Sequence, residues 1–127
     1  GSMKLSEWLQ ENELLLHILV TRHFGQWGFE CQLISHSDAE ESKESFLQLV
    51  TGDSNAGGKY PSKAFMGFGV RKFESIENLI EKASGKTFCY ADGKARQQII
   101  EFPEGLSAGE KEDYKGLVKG DNPDSWE

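Results

Sequence analysis

The sequence predicts a single α+β domain over residues 4–119, an antiparallel sheet of about four strands packed on two to three helices, followed by a polar, frayed tail over residues 120–127. Three observations lead there. Apolar residues recur at helical spacing in some stretches and alternate in others. Asp92-Gly93 lies between two alternating runs and supplies the positive φ angles of a two-residue hairpin turn. The length of 127 residues suits one domain.

The first element reads as a helix. Ser6 is placed to accept from a free amide of the first turn. Glu7 and Glu11 lie near its positive end, Arg22 and His23 near its negative end, and Gly25 stops it. Trp8, Leu15 and Leu19 fall on one stripe, with Leu9, Leu16 and Val20 beside it. Leu14 and Ile18 widen that arc. The competing reading is a strand over Leu14–Arg22, paired through the Gly25–Gly28 turn.

Phe29–Ser35 alternates as a strand. Ser37-Asp38-Ala39-Glu40 has the form of a capping box. It opens a helix over 38–50 that places Ala39, Phe46, Leu47 and Val50 on one face; a strand over Phe46–Thr51 is the alternative. Thr51–Lys63 is a turn-rich loop. Ala64–Phe73 reads as a strand. Ser75 caps a helix over Ile76–Ala83 that Gly85 ends. Thr87–Ala91 and Ala95–Phe102 form the hairpin about Asp92-Gly93, which sets Cys89 opposite the Arg96 region. Ser107-Ala108-Gly109-Glu110 opens a short polar helix over about 108–118. Within the tail, Trp126 is a possible docking residue.

The chain carries 14 Lys+Arg against 21 Asp+Glu, a net charge of −7. Residues 1–58 sum to −6, residues 59–96 to +4 and residues 97–127 to −5, so a basic centre lies between acidic flanks. No apolar run reaches the roughly 18–20 residues of a membrane span. No secretory leader is visible, and Gly1-Ser2 before Met3 reads as a cloning remnant. Two cysteines, Cys31 and Cys89, are too few for a disulfide framework. A cytoplasmic setting follows.

The sequence calls for no metal and no cofactor. Zinc needs converging Cys, His or carboxylate ligands, and His17 and His23 lie about 120° apart around a helix. Cys31 and His36 have odd strand spacing and so face opposite ways. Cys89 near a cation would be an activated thiol; this is the small-enzyme reading. The loop Gly52–Gly58 has the glycine separation of a phosphate-binding loop, but Gly58 stands where that loop needs Lys.

Residues 63–86 resemble the second half of an RNA recognition motif. Met66-Gly67-Phe68-Gly69-Val70-Arg71-Lys72-Phe73 lines up with the family's basic-Gly-aromatic-Gly-aromatic-Val-x-aromatic stretch, and Gly67, Phe68, Gly69 and Phe73 match. Met66 replaces the basic residue, Val70 the second aromatic, and Arg71 a core Val. The resemblance implies RNA binding, and with the basic centre it makes Lys63, Phe68, Arg71, Lys72 and Arg96 the alternative nucleic-acid surface. Parity alone favours the reverse orientation, with Met66, Phe68 and Val70 in the core and Arg71 in water. The glycines would then admit a neighbouring element.

With no catalytic constellation in view, the sequence reads first as a non-catalytic acidic protein that occupies and neutralises a protein partner with a basic surface. Immunity proteins, antitoxins and phage-encoded inhibitors of host defence share that profile. The contact residues expected are Glu40, Glu41, Glu44, Glu110, Glu112 and Asp113, with Trp27, Tyr60 and Trp126 as aromatic anchors.

Overall fold

In the computed structural model, which describes residues 3–35, 47–49, 65–90 and 99–126, the class is α+β. The elements are helix α1 (Leu5–Glu11), strands β1 (Leu14–His23), β2 (Gln26–Ser35), β3 (Leu47–Leu49) and β4 (Gly67–Gly69), helix α2 (Lys72–Ala83), and strands β5 (Thr87–Tyr90) and β6 (Ile99–Glu101). Two 3-10 turns follow, Lys111–Tyr114 and Pro123–Ser125. The strands form two antiparallel sheets, in the orders β1-β2-β4 and β3-β5-β6, where the sequence predicts one sheet. One core joins them. It takes Leu5 and Leu9 from α1, Leu14 and Leu16 from β1, Ile76 and Leu79 from α2, Phe88 from β5, and Tyr114 and Val118 from the C-terminal segment.

The first expected helix is a correction. α1 stops at Glu11, where the Asn12 side chain donates to the Trp8 carbonyl and Glu13 takes a φ of +54°. The run from Leu14 then extends as β1 and pairs with β2 from Leu14↔Ser35 to His23↔Gln26. The competing strand reading is right for the run itself, but not for its Gly25–Gly28 turn, since residues 26–28 belong to β2. Leu14, Leu15 and Leu16 are all buried, so both faces of the strand are covered there, and the β-branched Ile18, Val20 and Thr21 suit the pleated surface. Phe24 and Gly25 make the turn, at φ +50° and +80°.

Residues 47–49 are strand, not the end of a helix over 38–50; the rest of that expected helix lies outside the described residues. The expected strand over 64–73 is extended only at Gly67–Gly69, and α2 starts at Lys72, earlier than the Ser75 cap predicts. Ser75 is buried inside the helix, donating its hydroxyl to the Lys72 carbonyl. Glu74 instead accepts the Val70 amide at 2.9 Å. Both glycines of β4 face α2. A Cβ on Gly67 would strike the Leu79 and Ser75 backbone, and one on Gly69 the Ser75 amide, all inside 3 Å. They permit the close approach of a neighbouring element that the sequence suggests, but with Phe68 on the opposite sheet face.

In the second sheet the register partner of Cys89 is Ile99, three residues beyond Arg96; Arg96 and the Asp92-Gly93 turn lie outside the described residues. The expected helix over 108–118 is the single 3-10 turn Lys111–Tyr114, bracketed by Gly109 and Gly116 at positive φ. Where the sequence predicts a frayed end, residues 117–126 are docked. Leu16 donates to the Leu117 carbonyl and accepts from the Lys119 amide, both at 2.8 Å. Trp126 is 6% exposed within the core cluster. No described helix is long and apolar enough to cross a membrane.

Candidate functional site

The register of the first sheet decides which side chains meet. Leu16, Ile18, Val20 and Arg22 of β1 stand beside Leu33, Cys31, Phe29 and Trp27 of β2, and the rows of Ile18 and Val20 continue to Gly67 and Gly69 of β4. Partners across strands share a face. The rows at Leu16 and Ile18 enter the core under α2. The Val20–Phe29 row meets α2 at its Gly69 end, and the Arg22–Trp27 row nearest the turn has no partner in β4. Val20 is 69% exposed, Trp27 64% and Val70, just after β4, 48%.

Cations frame this apolar sheet end. The Arg22 guanidinium lies 6.0 Å from the Trp27 ring centre and the Lys72 ammonium 5.5 Å from that of Phe29. Lys72 is committed to Asp121 at 2.7 Å, and the Trp126 indole donates to the same carboxylate at 3.2 Å. Burial alone would raise the Asp121 carboxyl. The bonds from Lys72, Trp126 and the Asn122 amide outweigh it and hold the group below its ordinary value. This network pins the C-terminal segment beside α2. Between them lies a cavity of about 210 Å³ lined by Phe29, Val70, Arg71, Lys72, Ser125 and Trp126. Arg71 is exposed and makes no ion pair with a described residue. A neighbouring cleft shares Arg71 and Trp126 but carries Glu74, Glu77 and Glu110.

The structure thus brings three expected residues, Trp27, Arg71 and Lys72, to one face. Phe68 lies on the other face, its ring 5.0 Å from that of His23 and across Gly28. Because β4 ends at Gly69, parity does not link Phe68 to Arg71. Neither the all-core orientation of Met66, Phe68 and Val70 nor an inward Arg71 occurs, and Val70 is largely exposed.

Glu112 and Asp113 sit on the 3-10 turn Lys111–Tyr114, and Glu110 is its N-cap. Asp113 accepts the Glu110 amide at 2.8 Å, which holds its carboxyl low, and it pairs with Lys4 at 3.5 Å. Its local capping role accounts for it. Trp126 is a buried wall rather than an exposed anchor. Glu40, Glu41, Glu44, Tyr60, Lys63, Arg96 and His36 lie outside the described residues.

Cys89 is fully buried and burial raises its thiol, the opposite of an activated nucleophile. Burial also pushes Cys31 up strongly. Among the described residues no group of three His, Cys, Asp or Glu side chains is arranged to hold a metal ion.

Val20, Phe24, Phe29 and Val70 escaped the sequence reading. A helix assignment hides the first two, because only the hairpin puts Val20 at an edge and Phe24 in a turn. No protein-family model, curated protein or solved structure matches this chain.

Proposed function

We propose that the protein is a non-catalytic binding domain that occupies, and by occupying inhibits, a protein partner. The observation that carries this is Trp27, 64% exposed beside Val20 and Val70 on a face rimmed by Arg22 and Arg71. Trp and Arg are the side chains most enriched where binding energy concentrates. A monomer gains nothing from leaving this apolar sheet end in water. The partner segment that fits has an apolar anchor for the Phe29–Trp126 cavity and a carboxylate for Arg71. That chemistry is local. The net charge of −7 acts at longer range and steers the approach of a partner whose surroundings are basic.

A second reading has one observation in its favour. Phe68 lies on the sheet face away from α2, next to His23, as a base-stacking residue would. Against it, Arg22 and Arg71 are, among the described residues, few cations at this sheet end for a phosphate backbone, and the chain is acidic.

The test is affinity capture from the source cell with four baits: the wild-type chain, Trp27→Ala, Arg71→Ala and Glu110→Gln/Glu112→Gln. Bound material is read by mass spectrometry and nucleic-acid staining. The expected result is one protein retained by the wild type and the glutamine variant and lost with Trp27→Ala and Arg71→Ala. A protein retained equally by Trp27→Ala, or a bound fraction that nuclease removes, overturns the reading.

A further inference from the structure

Among the described residues β1 is an edge strand, and only its beginning is covered. Leu16 turns both its amide and its carbonyl outward, to residues 117 and 119. In an antiparallel ladder the outward-facing residues alternate. Ile18, Val20 and Arg22 therefore also turn theirs outward, and none of them is bonded to a described neighbour on that side. The open stretch is bounded at one end by the docked tail and at the other by the Phe24-Gly25 turn. It carries no Pro and no Lys, the usual devices that keep an edge from pairing.

We infer that a second copy of this chain pairs with this edge, antiparallel, about a two-fold axis at Val20. The open stretch selects that register. It sets Val20 against Val20 and Ile18 against Arg22, so every outward group of one copy meets one of the other. A shift of two residues one way sets Leu16 against Arg22 and collides with the tail segment 117–119. The opposite shift sets Ile18 against the turn residue Phe24. Charge agrees with the chosen register. Arg22 is the only charged side chain from 18 to 22, and it faces an aliphatic Ile18, so the two guanidiniums stay at opposite ends. Phe24, 97% exposed in one copy, comes to the row of Leu16, beside the tail of the other. The two sheets become one sheet that crosses the dimer.

The pairing uses the edge of β1, whereas the proposed partner site uses the sheet face around Trp27, so either can fail alone. Val20→Pro removes the central outward amide and leaves the ladder to β2 intact, because that amide takes no part in it. Sedimentation equilibrium of the full chain from micromolar to millimolar concentration is expected to show a monomer–dimer equilibrium. Losing the two amides at the axis raises the dimer dissociation constant roughly tenfold or more, while Trp27→Ala leaves it unchanged. Hydrogen exchange provides a second reading on the wild type, should the proline variant not fold. The amides of Ile18, Val20 and Arg22 gain protection as concentration rises. A monomer at millimolar concentration, exchange at these amides independent of concentration, or a dimer indifferent to a folded Val20→Pro variant overturns the inference.

Discussion

Phe24→Asn separates what the hairpin turn needs from what this sequence places there. A two-residue turn with both φ angles positive prefers Asn-Gly. Phe24 sits at φ +50°, in a region that a large L side chain enters at a cost of about 1–2 kcal/mol. The structure offers little in return. The ring is 97% exposed, and its one ring contact is an edge-on approach to His23 at 4.4 Å. Buried aromatic pairs contribute about 0.5–1.5 kcal/mol, and an exposed one less. Asn relieves most of the strain and forfeits that contact, so the variant is expected to be more stable by about 0.5 kcal/mol, with a melting temperature higher by roughly 1–2 °C. Urea unfolding at a concentration where sedimentation shows a monomer reads the difference. Self-association, measured separately, weakens. A variant destabilised by more than about 1 kcal/mol would refute the reasoning, because it would show the ring to be packed in the monomer.

Other expectations rest on separate parts of the fold. Gly69→Ala places a Cβ against the Ser75 amide, where α2 cannot retreat without leaving the sheet, and should cost about 2–3 kcal/mol by urea unfolding. Asp121→Asn weakens the Lys72 and Trp126 bonds together and is expected to cost about 1–2 kcal/mol, with the Trp126 indole signal shifted in the NMR spectrum. Because the folded state holds the Asp121 carboxyl below its ordinary value, its contribution is complete above a pH of about 4 and is lost as the pH falls further. Acid titration of the Trp126 indole signal should show that loss, and Asp121→Asn should abolish it. Cys31 and Cys89, both buried, should resist alkylation in native protein and react on unfolding; native labelling of Cys89 faster than a free thiol would restore an enzymatic reading.

The class of the fold, the strand over 29–35, the existence of α2 and the use of Gly67 and Gly69 to admit a neighbour were legible from local pattern. So were Trp27, Arg71 and Lys72 as residues to watch, although not that they would share a face. The Leu14–Val20 run was not decided locally. Its apolar residues fit a helical arc and a strand buried on two sides equally well. The choice fell to the ten-residue ladder with β2 and to the tail that covers Leu16, contacts that sequence spacing does not encode.

The same limit applies at the other end of the chain. Polar composition made residues 120–126 look frayed, while Asp121 is held by Lys72, far away in sequence, and in turn accepts from the Trp126 indole. The sequence by itself determined periodicity, turn chemistry and the charge blocks, because those depend on near neighbours. Only the tertiary structure decided that the sheet outruns its helix. The length of the β1–β2 hairpin, set against the point where α2 starts, leaves Val20 and Trp27 in water and, among the described residues, the edge of β1 unpaired beyond Leu16.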